Sequence, residues 1–180
     1  MRVKKGYATR RGKIAVEDAA AYVRDLAQRL EARGRLGATR SFIQHGDVSV
    51  YDHVLAVAKT SICMARVLSR VGIAVDMHAL VRGALLHDYF LYDWHDSDPS
   101  HRLHGFKHPF FALERAEEDF DLTPIERNVI ARHMFPLVPI PPACREAWIV
   151  CLVDKACALG ETIDGRIGGK CRMRGRGKRA

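Results

Sequence analysis

Four segments of the sequence repeat apolar residues every three or four positions and carry a histidine or an aspartate on the apolar side. In the segment 49–70, for example, His53 shares a helix face with Val50 and Val57. Residues three or four positions apart lie on one face of an α-helix, so these polar side chains are expected to point inward. The pattern predicts an all-α fold in which ionisable groups meet inside the core.

Capping and helix-breaking residues set the boundaries of six predicted helices. Asp76 is a good N-cap, Thr123 and Glu126 form a capping-box pattern, and Pro109 suits a first helical turn. No convincing pair of strands is present, so we expect a helical bundle or orthogonal array. The helices are predicted at residues 15–33, 49–70, 77–88, 109–119, 123–133 and 143–160.

The charge distribution predicts one helical domain, residues 15–164, between a basic segment at 1–14 and a basic tail at 165–180. Residues 1–13 hold six Lys or Arg and residues 165–180 hold seven, with no acidic residue in either stretch. The middle of the chain holds the other 16 basic residues and all 21 acidic ones, so the net charge of +8 describes the ends. The Gly- and Arg-rich tail is expected to be disordered, and it either binds nucleic acid or is a solvated terminus.

Targeting signals are missing from the sequence. No stretch approaches the roughly 18 apolar residues of a membrane span, and the basic start leads into no apolar run of the kind that a secretory signal needs. We therefore expect a cytoplasmic protein without a membrane partner, whose five cysteines are reduced. The oligomeric state is left open.

The inward-facing polar residues are of the types that bind transition metals. A buried carboxylate is costly without a partner, and a metal ion would satisfy the carboxylates and the imidazoles together. Such a mixture suits Fe, Mn, Co or Zn better than Ca. A single inward histidine is more often a hydrogen-bonded core residue, but six residues from five helical elements indicate one or two divalent ions. The six are His53, His87, Asp88, His108, His133 and Asp154.

In this order, the six residues resemble the ligand series of the HD-domain superfamily of metal-dependent phosphohydrolases. The likeness covers about residues 45–160, through the segments YDHVLAVAKTS, ALLHDY, KHPFFALE, VIARHMF and LVDKACAL. It implies an HD-type helical bundle with one ion held by His53, His87, Asp88 and Asp154. It also implies a second ion held by His108 and His133, with Asp88 bridging the two.

The resemblance implies hydrolysis of a small, nucleotide-like phosphomonoester or phosphodiester by a metal-activated water. Asp88 would then be catalytic through its bridging position, and Lys155 would stabilise negative charge. The same ligand series is similar to that of di-iron oxygenases, which use dioxygen. A third alternative is a non-catalytic binding module with a structural metal and a nucleic-acid-binding tail.

Two further segments could reach the mouth of such a site. Gln44, His45 and Gly46 lie just before the helix of His53, and a polar insert at 89–107 contains His95, His101 and His104. Loops are usually polar in any case, so solvated side chains are the alternative for both segments.

Overall fold

The computed structural model describes residues 16–45, 47–92 and 104–176. A 3₁₀-helix (Leu36–Ser41) and two antiparallel strands, β1 (Ile43–His45) and β2 (Val48–Ser49), connect the first helix to the second. The all-α class is confirmed, and the small hairpin corrects the prediction that no strands pair. The α-helices of these ranges are α1 (Val16–Arg33), α2 (Val50–Arg70), α3 (Met77–Leu86), α4 (His104–Asp119), α5 (Pro124–Arg132) and α6 (Arg145–Arg176).

Side-chain caps begin three of the helices. The Ser49 hydroxyl accepts a hydrogen bond from the backbone N–H of Asp52 at the start of α2, and Asp76 does the same for α3. Thr123 and Glu126 form a complete capping box at α5. Each cap satisfies a backbone donor that the first helical turn leaves without a partner, which is why these residue types stand at these positions.

Two helices are longer than predicted. The fourth helix begins at His104 rather than 109, so Pro109 lies inside it and costs one backbone hydrogen bond without ending the helix. Helix α6 passes the predicted end near residue 160 and runs through 165–176, where a disordered tail was expected. Extending a helix costs much less than starting one, and Lys and Arg are good helix formers. Residues 1–15 and 177–180 lie outside the described ranges, and nucleic-acid binding by the basic tail stays a prediction.

All six α-helices of the described ranges contribute buried side chains to one apolar core. Helix α2 packs against α3 and α6, and α5 packs against α3 and α6 in turn, while α1 and α4 flank α2 and α5. None of the helices in the described ranges is long and apolar enough to cross a membrane. The apolar side chains that close this core surround a small group of buried polar ones.

The approach of α3 to α5 leaves no room for a side chain at Gly83. A Cβ atom at this position would lie 2.9 Å from Val129 Cβ and 3.0 and 3.1 Å from its two methyl carbons. His87 is the C-cap residue directly after α3, and His133 is the C-cap residue directly after α5. The glycine therefore sets the distance between the two helix ends that carry these histidines.

We predict that Gly83→Ala destabilises the protein by about 1–3 kcal/mol, because the added methyl group must push α3 away from α5. Gly160→Ala is the matched control, since a Cβ there meets no atom within 4 Å and alanine favours a helix. Urea unfolding of both variants measures the difference. Equal stability of the two variants would contradict the close contact.

Candidate metal centre

The structure brings the six predicted ligand residues together inside the core. Their side chains come from α2, the end of α3, α4, the end of α5 and α6. Each residue is buried, with an exposed fraction of at most 7%, which places ionisable groups where water cannot solvate them. They are His53, His87, Asp88, His108, His133 and Asp154.

The Asp88 carboxylate lies at the middle of the group, and its two oxygens face different rings. Oδ2 is 3.4 Å from His87 Nε2 and 3.9 Å from His53 Nε2. Oδ1 is 3.3 Å from His108 Nε2 and 3.5 Å from His133 Nε2. The one carboxylate of Asp88 therefore contacts two sets of imidazole nitrogens.

Asp154 lies on the same side of the site as Asp88 Oδ2, next to His53 and His87. Its Oδ1 atom is 3.0 Å from His53 Nε2 and 3.5 Å from His87 Nε2. On the other side, the Nε2 atoms of His108 and His133 lie 2.8 Å apart. The two sides meet at His87, whose ring is edge-on to that of His133 with centroids 4.9 Å apart.

Two of the rings are oriented by the ends of their own helices. His87 Nδ1 donates to the Ala84 carbonyl, and His133 Nδ1 donates to the Ile130 carbonyl, both at 2.8 Å. The last carbonyls of a helix have no partner within it, so a C-cap histidine can satisfy one of them. This bond places a proton on Nδ1 and turns Nε2 toward the carboxylates.

The buried charges shift the proton affinities of the site. Burial lowers the pKa of His133, so its ring is neutral near pH 7. Although burial favours protonated carboxyls, the charge of His87 and the close contacts with the rings of His108 and His133 hold the pKa of Asp88 well below its usual range. Burial opposes a charge on His53 too, but hydrogen bonds to Asp154 and Glu161 raise the pKa of His53 to about 10. The carboxylates of the site therefore stay ionised, and positive charge next to them is stabilising.

A cation fits this arrangement better than the side chains alone do. Within the described ranges, His87 Nε2 and Asp88 Oδ1 are buried without a hydrogen-bond partner. Such atoms are expensive in a protein core and mark a position for an additional group. Two sets of side chains could each hold an ion, because the possible ligand atoms within a set lie within 4.8 Å of one another. One set is His53, His87 and Asp154, and the other is His87, Asp88 and His133.

A comparison with known protein families decides the identity of the fold. The HD domain family matches residues 50–159, which is more than half of the chain. The chain belongs to the HD domain family. Comparisons with curated proteins and with solved structures gave no match. HD domains bind divalent metal ions, and the family includes many metal-dependent hydrolases.

In this HD domain, the His-Asp pair is anchored by the tyrosine that follows it. The Tyr89 hydroxyl donates to Asp119 Oδ2 at 2.6 Å and accepts from the Arg35 backbone N–H at 2.5 Å. Arg35 also binds both oxygens of Asp119, from Nε at 2.8 Å and from a terminal nitrogen at 3.1 Å. This network ties Asp88 to the segment after α1 and to the end of α4.

Gln44 contacts the Asp88 carboxylate directly, although the sequence pattern indicated only that it could lie near the mouth of the site. Its Nε2 donates to Asp88 Oδ2 at 2.7 Å, while its Oε1 is buried without a partner among the described residues. The pairing of β1 with β2 places Gln44 there, and that hairpin was missing from the predicted fold.

Lys155 lies next to Asp154 in sequence but does not contact the carboxylates. Its ammonium donates to the carbonyls of His133 at 2.7 Å and Cys151 at 3.2 Å. The catalytic role predicted for Lys155 therefore has no contact in the site to support it, and the side chain instead ties α6 to the end of α5. Among the insert residues, His95 and His101 lie outside the described ranges, as does Gly46.

We predict that Asp119→Asn lowers the free energy of unfolding by about 1 kcal/mol at pH 7, a small value because Arg35 is partly exposed. Although burial opposes ionisation, the bonds from Arg35 and Tyr89 lower the pKa of Asp119. A carboxyl whose pKa is lowered on folding stabilises the folded state fully at a pH above its unfolded pKa of about 4. This stabilisation is lost as the pH falls through the pKa of the folded state.

The measurement is urea unfolding of wild type and variant between pH 7 and pH 3. The difference between the two proteins should be constant above about pH 5 and should shrink toward pH 3. Asp25→Asn is the control, because its ion pair with Arg29 on α1 is exposed. A difference that stayed constant at all pH values would exclude the carboxylate as its source.

Proposed function

We propose that this HD domain is a metal-dependent phosphohydrolase with a two-ion centre bridged by Asp88. The substrate proposed is a small, nucleotide-like phosphomonoester or phosphodiester. The observation that supports the second ion is the division of the Asp88 carboxylate, whose Oδ2 and Oδ1 atoms face separate sets of ring nitrogens. A single ion on the Oδ2 side would leave Oδ1 buried and without a hydrogen-bond partner from the described residues.

The residues divide into two ligand sets that share the carboxylate. His53, His87 and Asp154 would hold the first ion with Asp88 Oδ2, and His108 and His133 would hold the second with Oδ1. Imidazole and carboxylate donors suit Fe, Mn, Co or Zn. Two adjacent divalent ions would supply an acidified water and would neutralise the charge of a phosphoryl group.

The protein contributes orientation and a dry environment. The Nδ1 bonds of His87 and His133 to backbone carbonyls turn each Nε2 atom toward the centre before any ligand arrives. Gln44 holds Asp88 Oδ2 from the side of the hairpin. Fixed donors and charges in a buried site are worth more than the same groups in water, because they need no reorganisation during the reaction.

We predict that protein purified without added metal contains about two equivalents of Fe, Mn, Co or Zn, and that His108→Ala reduces this to about one. Asp88→Ala should remove most of both, because the variant loses a ligand of each ion. Plasma mass spectrometry measures the metal content. His78→Ala, an exposed histidine on α3, is the matched control and should leave the content unchanged.

The assay that tests the reaction uses the metal found in the protein. Release of phosphate or cleavage of a phosphodiester at equal rates with and without dioxygen would support the proposal. A product that forms only with dioxygen would show the alternative oxygenase chemistry. Full metal content without turnover of any phosphate ester would favour a structural metal in a binding module.

A further inference from the structure

His53 lies between two carboxylates that both come from α6. Its Nε2 atom is 3.0 Å from Asp154 Oδ1, and its Nδ1 atom is 3.0 Å from each oxygen of Glu161. The Glu161 side chain is only 14% exposed, and His53 is fully buried. Both ring nitrogens therefore face a carboxylate inside the protein.

The spacing of the two carboxylates follows from the helix that carries them. Asp154 and Glu161 are seven residues apart, which is two turns, so they lie on the same face of α6. Glu161 was missed in the sequence because the helix was predicted to end near residue 160. The continuation of α6 to Arg176 keeps Glu161 in helical register with the ligand.

His53 needs such a partner because of its place in α2. His87 and His133 donate Nδ1–H to a free carbonyl at the end of their own helices. His53 is the fourth residue of a helix of 21, where the nearby carbonyls accept hydrogen bonds within the helix. A group from another element must orient this ring, and Glu161 is in contact with the required nitrogen.

We propose that Glu161 is a positioning residue for the first ion of the centre, an inference that rests on the proposed two-ion function. By accepting the Nδ1 proton of His53, Glu161 fixes the tautomer in which Nε2 is the ligand and aims it between Asp88 and Asp154. A carboxylate in this position also makes the imidazole a stronger donor. The second ion, at His108 and His133, gains nothing from Glu161.

The test is a Co²⁺ titration of the full-length protein after removal of metal by a chelator, followed by visible absorption and by bound-metal analysis. Glu161→Ala should weaken one of two binding steps by about 10–100-fold and leave the other unchanged. Glu161→Gln keeps the shape and an acceptor oxygen, so it should restore part of the loss. Glu114→Ala, an exposed glutamate on α4, is the matched control and should titrate like wild type.

The outcomes separate this inference from the function on which it rests. Two tight steps in Glu161→Ala would overturn the role of Glu161 and leave the two-ion centre intact. Equal weakening of both steps would also overturn it, since it would indicate a general loosening of the fold. Wild type that takes up no Co²⁺ would overturn the centre itself and the role of Glu161 with it. If circular dichroism shows Glu161→Ala to be unfolded, the titration of Glu161→Gln decides by the same criteria.

Discussion

A carboxylate buried among four imidazole rings is the interaction on which this structure depends. Asp88 is 2% exposed, and each of its oxygens is within 4 Å of ring nitrogens from two different elements. An unpartnered carboxylate would be excluded from such a core, so every element that surrounds it must bring a compensating group. The close packing of α3 on α5 at Gly83 and the network around Tyr89 both hold that carboxylate in place.

The imidazole rings are oriented by two different devices. At the ends of α3 and α5, the chain uses carbonyls that the helices leave free, so backbone geometry alone aims His87 and His133. Near His53, in the first turn of α2, the carbonyls accept hydrogen bonds within the helix, and a side chain from another helix contacts the ring instead. The first device depends on where a helix ends, and the second depends on how two helices pack. The site is therefore sensitive both to local sequence and to tertiary structure.

Most of the helices and the six clustered residues were predictable from the sequence, because periodicity and caps are local signals. The caps at Asp76 and Thr123 are present as predicted, and the inward faces of α2 and α6 bring His53 next to Asp154. The misses involve information that is not local. Gln44 depends on a hairpin whose strands are too short to show a period, and Glu161 depends on a helix that continues through glycines. Lys155 is adjacent in sequence to Asp154, a predicted ligand, but its ammonium donates to the carbonyl of His133.

The contact between His53 and Asp154 joins positions 101 residues apart in the chain. Contacts of this separation form after the local helices, since a long loop must close before they stabilise anything. The ligand set proposed for the first ion is therefore incomplete until α6 docks on α2, and a chain still in synthesis lacks Asp154 altogether. An unfolded chain offers no preformed site, so metal uptake would come after folding and would add its binding free energy to a fold that is already assembled. Metal occupancy at His53 would then report that the last helix has docked.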